Sequence, residues 1–179
     1  MRSRAAVLGA ALELLAERGI TATTIEAVAE RSGVAKTTIY RQWDSQAALV
    51  LDAFGSVLRA PADPDTGTLR GDLLELLTGY AHALSRKPAT GLLFALIDAA
   101  ERDPAFATLH RREAGNRHTV ILAVIARGVA RGELPPGTDP ADVLDLVAGP
   151  LFHRRAVSAG TVDSGFAERV VDRVLAAYR

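Results

Sequence analysis

Apolar residues recur at three- and four-residue steps along almost the whole chain. Val7, Leu8, Ala11, Leu12 and Leu15 fall on one face of a first helix, which Gly19 ends. Thr23-Thr24-Ile25-Glu26 follows with the spacing of a capping box, Thr23 as N-cap and Glu26 reaching back. It opens a short helix that buries Ile25, Val28 and Ala29. Gly33 stops that helix as a left-handed C-cap. The pattern then changes. GVAKTTIYRQWDS, from Gly33 to Ser45, is strongly polar, and Ile39 is its main inward anchor. Asp44 or Ser45 caps a longer helix through Ala48, Leu49, Leu51, Phe54 and Leu58.

RAPADPDTGT, from Arg59 to Thr68, reads as a linker, with two prolines and a glycine. Beyond it the periodicity predicts a helix from about Leu69 to Leu84. Pro88 and Gly91 mark the next junction, before a helix containing Leu92, Leu93, Leu96 and Ile97. Asp103-Pro104 and Asp139-Pro140 open two more helices. Aspartate caps, and proline takes the first helical position, where its missing N–H is not needed. The first of these runs to Gly132, with Gly115-Asn116 as a weak point. Gly149-Pro150 should kink the second. A last helix carries Phe166, Val170, Val174 and Tyr178 at four-residue steps. No strand alternation or internal repeat interrupts this pattern, which predicts an all-α chain of about nine helices.

VLDLVAGPLF, in the helix before last, places bulky groups on more than one face. A helix apolar most of the way round must be covered on both sides. Either it is the centre of a monomeric bundle, or the last two helices pair with those of a second copy as a four-helix bundle.

Composition narrows the functional classes. Hydrophobic residues make up 49% of the 179 residues and aromatics only 5%, so the core is built from Ala, Leu and Val. There is no cysteine, which excludes disulfides, zinc-thiolate sites and cysteine nucleophiles and points to a reducing cytoplasm. No apolar run approaches the roughly 20 residues that span a bilayer, and no membrane partner is expected. AVSAG, from Ala156 to Gly160, lacks the first glycine of a nucleophile elbow and has no entering strand. The four histidines, His82, His110, His118 and His153, are scattered, so neither a metal nor another cofactor is expected. Nothing here indicates an enzyme. Formal net charge is zero, but no acidic residue occurs from Arg31 to Trp43, where Arg31, Lys36 and Arg41 are basic. Lys36 is one of only two lysines.

These features meet in one place. Small Ala29 lets a second helix approach the first, Gly33 permits a tight turn, and Ile39 pins the second helix, with Val28 and Val34 filling the corner. That is the packing of a helix-turn-helix. The polarity of the second helix then has a use, because a helix in the major groove must present donors and small side chains. Lys36 suits a phosphate or a guanine. Thr37 and Thr38 offer a hydroxyl and a methyl at close approach. Tyr40 and Arg41 suit phosphates that fix register, and Thr24 can add its hydroxyl and a backbone N–H to another. Trp43 packs beneath the unit.

TTIEAVAERSGVAKTTIYRQWDSQAALV, within Ala5–Phe54, resembles the N-terminal domain of the TetR family of transcriptional regulators. The specific likeness covers about the first third of the chain; the rest agrees in length, helix number and its RGEL…GPLFHR segment. The resemblance implies a three-helix DNA-binding domain at 1–50 and a helical ligand-binding and dimerisation domain at 51–179. It implies a homodimer on a palindromic double-stranded operator, released by a small-molecule effector that swings the fourth helix. The family often carries a phosphate-binding lysine where this chain has Gln46, which donates without charge. A frequent following glutamate is Ala47. The pocket is expected between the middle helices, with Tyr80, Phe94, Phe106, His110 and Phe152 as candidates because aromatics are scarce, although core packing accounts for each singly. With few charges inside, the effector is expected to be mostly apolar. The competing reading is a helical dimeric small-molecule-binding module without effective DNA recognition.

Overall fold

In a computed structural model, which describes residues 2–57 and 61–178 with side chains except at 2 and 87–89, every regular element is a helix. In chain order these are α1 (Arg2–Arg18), α2 (Ile25–Ser32), α3 (Lys36–Tyr40), α4 (Gln46–Val57), α5 (Leu69–Ser85), α6 (Lys87–Ala100), α7 (Pro104–Ala130), α8 (Pro140–Ala156) and α9 (Ser164–Ala177). Leu58 and Arg59, and the side chain of Pro88, lie outside the described residues.

Local chemistry accounts for most boundaries. Gly19 and Gly132 follow α1 and α7 with positive φ. At the end of α7, Glu133 N–H donates to the Gly128 carbonyl and Gly132 N–H to Val129, the paired bonds of a Schellman motif. Asp103 and Asp139 cap as expected, accepting from Ala105 N–H at 2.8 Å and Ala141 N–H at 2.9 Å. Ser45, not Asp44, caps α4 through Ala48 N–H. Helix α7 runs to Ala130 without interruption at Gly115-Asn116, and α8 carries Pro150 inside it and ends at Ala156. One expectation changes. Gly91 lies inside α6 rather than at its start, where a Cβ would come 3.6 Å from the Ala16 carbonyl oxygen. That is ordinary van der Waals contact, so the packing of α6 on α1 does not itself require glycine there.

The helices form two compact units. One comprises Met1–Arg59 and Lys87–Glu113; the other comprises Ala60–Arg86 and Ala114–Arg179. This grouping follows packing and is drawn on a different basis from the expected division at 50/51. In the first unit, Val7, Ala11, Leu14 and Leu15 of α1 meet Ile25, Val28, Ile39, Trp43, Leu49 and Phe54, with Leu92 and Leu96 of α6. Leu14 takes the core place assigned above to Leu12, which is only partly buried.

In the second unit α5 packs on α8 and α9 through Leu73, Leu77, Val143, Val147, Val170 and Val171. Its polar centre is Asp72, which is 0% exposed. Its Oδ1 accepts from the Thr66 N–H and hydroxyl, both at 2.7 Å. Its Oδ2 faces Arg131 at 3.5 Å and Arg127 at 3.6 Å. Arg127 also pairs with Asp63 at 2.9 Å and donates to the Pro64 carbonyl. The described part of the linker is thus fastened to α5 and α7. Burial works against the Asp72 charge, but the Thr66 amide and hydroxyl and the two guanidinium groups outweigh it. The carboxyl stays below the usual aspartate range.

The unfolded chain therefore takes up the Asp72 proton first as pH falls. The stability from this carboxylate is complete above the ordinary aspartate range and is lost as pH falls through the lowered folded-state value. Asp72→Asn is expected to cost about 1–3 kcal/mol near neutrality. Denaturant unfolding across pH should show the gap between variant and wild type closing in acid; a gap independent of pH would contradict this account.

Candidate nucleic-acid interface

The first turn of α2 begins one residue later than the capping-box reading placed it. Thr24 is the N-cap, extended at φ −75° and ψ 161°, and its hydroxyl oxygen accepts from Ala27 N–H at 3.1 Å. Thr23 is fully buried, and its hydroxyl donates to the Gly19 carbonyl at 2.8 Å. It closes the turn between α1 and α2 instead of capping. Glu26 turns toward Lys36, with Nζ to Oε1 at 3.3 Å. Its own backbone N–H, Lys36 and a smaller contribution from Thr24 hold its carboxyl below the usual glutamate range.

Gly33 ends α2 at φ +69°, and its N–H donates to Ala29 at 3.0 Å. This left-handed conformation strains any side chain with a Cβ. The chain turns there into α3, whose five residues form little more than one turn. Ile39 is the one buried residue of α3 and is 0% exposed. Lys36, Thr37, Tyr40 and Arg41 face solvent, Tyr40 at 50% exposure, and Thr38 is half-buried. Trp43, just past the helix, is 5% exposed. Its backbone N–H donates to the Ile39 carbonyl at 3.0 Å and its indole Nε1 to Asp52 of α4 at 2.8 Å.

Charge around this face differs from what the local sequence promised. Arg31 donates to Glu13 at 3.2 Å and to Glu17 at 2.9 Å, two carboxylates on α1. The pairing raises its guanidinium pKa further. Lys36 has Glu26. Among the described residues, Arg41 is the one cation of this stretch without an ion pair. The acid-free window from Arg31 to Trp43 is flanked in space by carboxylates from earlier helices. Gln46 also has an internal partner: its Nε2 donates to the Ile20 carbonyl at 3.0 Å, tying the start of α4 to the α1–α2 turn.

The structure does not gather the five pocket candidates into one unit. Phe94, Phe106 and His110 fall in the first, Tyr80 and Phe152 in the second. Phe106 is buried and meets Phe54 edge-on, centroids 6.5 Å apart at 84°. Tyr80 is half-buried, and burial pushes its hydroxyl pKa up. None of the five lines the open groove of about 510 Å³ that runs along Leu51, Asp52 and Gly55 of α4 and Thr108, Leu109 and Arg112 of α7. Among the described residues no group of three or more acidic or histidine side chains is placed to hold a metal. Among the described residues no helix is long and apolar enough to cross a membrane.

Comparison with known proteins agrees with this geometry. Residues 7–53 match the family described as "Bacterial regulatory proteins, tetR family", and residues 63–174 match "Tetracyclin repressor-like, C-terminal domain". The uncharacterized HTH-type transcriptional regulator YdeS of Bacillus subtilis is 33% identical over 177 residues, covering 97% of this chain and 87% of that one. The DNA-binding transcriptional repressor TetR of Mycobacteroides abscessus is 33% identical over 175 residues, covering 96% and 90%. The crystal structure of the TetR family transcription regulator SCO0332 is 35% identical and superposes with a TM-score of 0.71 over 98% of both chains.

The cap assignment can be checked directly. Thr24→Ala should lower stability by about 1 kcal/mol through loss of the bond to Ala27. Thr23→Ala should instead act through the buried α1–α2 turn. Chemical denaturation in which Thr24→Ala matches wild type would return the cap to Thr23.

Proposed function

The chain belongs to the TetR family of helix-turn-helix transcriptional regulators, and from that premise we propose that it is a homodimeric repressor released from a palindromic operator by a small, mostly apolar ligand. The observation that carries the DNA-reading part is the division of labour in α3: one buried anchor, Ile39, and an exposed face of Lys36, Thr37, Tyr40 and Arg41 with half-buried Thr38. A helix this polar with so little to bury is matched to a partner outside the chain. Thr24 is proposed as a phosphate contact from its place at the N-terminus of α2, where its hydroxyl, which now serves Glu26, would turn to the phosphate and the backbone N–H would assist. Gln46 keeps one amide hydrogen beyond its bond to Ile20 and is proposed as an uncharged phosphate donor.

Functionally, residues 1–50 are assigned to DNA binding and 51–179 to effector binding and dimerisation. The dimer reading is supported by α8, where Leu146 is 48% exposed, and by Val157 just beyond it at 70%. Gly149 and Pro150 lie three and four residues after Leu146, and His153 lies three after Pro150, on a face separate from buried Val143, Val147 and Leu151. Tyr80 and Phe152, half-buried aromatics of one unit, are the preferred effector contacts among the five candidates. Packing against Phe54 explains Phe106, and Phe94 and His110 are kept as secondary candidates. The regulator acts where operator DNA is, which places it in the cytoplasm.

The alternative, a binding module without effective DNA recognition, draws on the internal partners of Lys36 and Gln46. Selection from a random duplex library at low salt separates the two. The repressor reading expects an inverted repeat with half-sites about one helical turn apart. A single half-site would overturn the dimer, and no enrichment would favour the alternative. On the recovered operator, Thr37→Ala should weaken binding by about 1–3 kcal/mol if Thr37 reads a base. Lys36→Ala should weaken it and lower the salt slope by about one if Lys36 meets a phosphate.

Glu26→Gln makes a separate test. It releases Lys36 and removes an anion from the approach of the phosphates, so binding should tighten and its salt dependence steepen. A titration in which neither changes would remove Lys36 from the interface.

A further inference from the structure

We propose that Asp52 is a positioning residue for DNA recognition. Its carboxylate ties α4 to the residue that closes the recognition helix, so the pose of α3 follows that of α4. The proposal rests on the DNA-binding reading above and deepens it.

Trp43 is fastened in two directions. Its backbone N–H bonds to Ile39, the last inward residue of α3, at 3.0 Å. Its indole N–H bonds to Asp52 Oδ2, in the second turn of α4, at 2.8 Å. Asp52 is itself clamped: Arg4 Nη2 reaches Oδ1 at 2.8 Å and Oδ2 at 2.7 Å. Arg4, 48 residues away in sequence, and Trp43, nine residues away, therefore converge on one carboxylate. The Arg4–Asp52 pair is partly exposed, at 55% and 33%, and alone contributes little to stability. Its value is directional. It fixes the plane of the carboxylate that the buried indole must meet. The indole has a single donor and is 5% exposed, so a missing acceptor leaves that donor unsatisfied.

Apart from the Gln46 bond to the Ile20 carbonyl at its first residue, α4 meets this core through apolar side chains, chiefly Leu49, Val50, Ala53 and Phe54. Apolar packing resists separation but is not directional. A hydrogen bond at a fixed point adds the missing constraint, because moving α4 along its axis breaks it or drags Trp43 with it. Trp43 bonds to α3 through its backbone, and α3 is too short to hold its own shape. Displacement of Asp52 is therefore passed to the face carrying Lys36, Thr37 and Tyr40.

Trp43 is the sole tryptophan, so its emission reports on this bond without interference. The test uses the full chain and the operator recovered by selection, with Asp52→Ala, Asp52→Asn and Trp43→Phe. Asp52→Ala is expected to weaken operator binding at least about tenfold, equivalent to about 1.4 kcal/mol, with binding to unrelated duplex unchanged. Its tryptophan emission should shift. Asp52→Asn keeps one acceptor for the indole but loses the Arg4 ion pair, and should fall between wild type and Asp52→Ala in both readouts. Trp43→Phe removes the indole donor and should reproduce the affinity loss, and it carries the test should Asp52→Ala not fold. Folded Asp52→Ala or Trp43→Phe binding the operator like wild type would overturn the proposal. So would Asp52→Asn as impaired as Asp52→Ala, since the indole bond would then not be the feature that matters. Failure of wild type to select any operator is a different result: it removes the DNA-binding reading itself and this proposal with it.

Discussion

A helix of five residues cannot hold itself together. Nucleation fixes several dihedrals for each early hydrogen bond, and one turn gives almost nothing back. Helix α3 therefore exists because Ile39 is buried and because Trp43 closes it from below. Everything around it serves that need. Gly33 supplies the left-handed turn, Thr24 starts α2 at the right residue, and Val28 and Ile25 form the floor on which Ile39 rests. Taking stability from the surroundings leaves the outer face of α3 free of packing duties. Its side chains can be chosen for a partner alone.

The same logic governs the second unit with a different currency. Its helices carry long apolar stripes and need no help to form, but the linker entering α5 has little to bury. Asp72 supplies the order there by offering a dry carboxylate to the Thr66 backbone and side chain, with Arg127 and Arg131 behind it. Glu133 Oε2 accepts from Leu69 N–H at 2.7 Å, so the turn after α7 caps the start of α5. Gly128 allows the close passage: a Cβ there would lie 2.7 Å from a Leu69 methyl carbon. Polar fastening at one end and apolar packing along the helices together define how the chain enters this unit.

How much of this could be read from the sequence depended on range. Features decided within four residues were legible: the glycine stops, the aspartate-proline starts, the turn at Gly33 and the burial of Ile39 and Trp43. Thr23 and Thr24 show the edge of that range, since two adjacent threonines both fit a cap and only the fold of the preceding turn decides between them. Features that depend on another helix were missed. Arg31 reads as a free cation until Glu13 and Glu17 are placed opposite it, and Gln46 reads as exposed until the Ile20 carbonyl arrives. Asp52 carries no local mark at all, because a carboxylate on an amphipathic helix usually meets water. The aromatic candidates divide between the two units for a related reason: scarcity picks out residues but says nothing about which unit they join.

The charge around α3 bears on how regulation could work. Of the two cations on the proposed recognition face, Lys36 is engaged by Glu26 and Arg41 is not, so the share of affinity drawn from counterion release, the term that makes binding tight on any sequence, is reduced. More of the affinity then rests on hydroxyls, on close approach and on the pose of the helix. Such contacts fail together when the pose changes, because hydrogen bonds weaken steeply with angle and distance. A tenfold change in affinity requires a coupling of only about 1.4 kcal/mol. One hydrogen bond to a charged acceptor has roughly that worth. A single directional bond between α4 and the base of α3 is therefore on the right scale to convert a small displacement into release, with no need for the reading head to unfold.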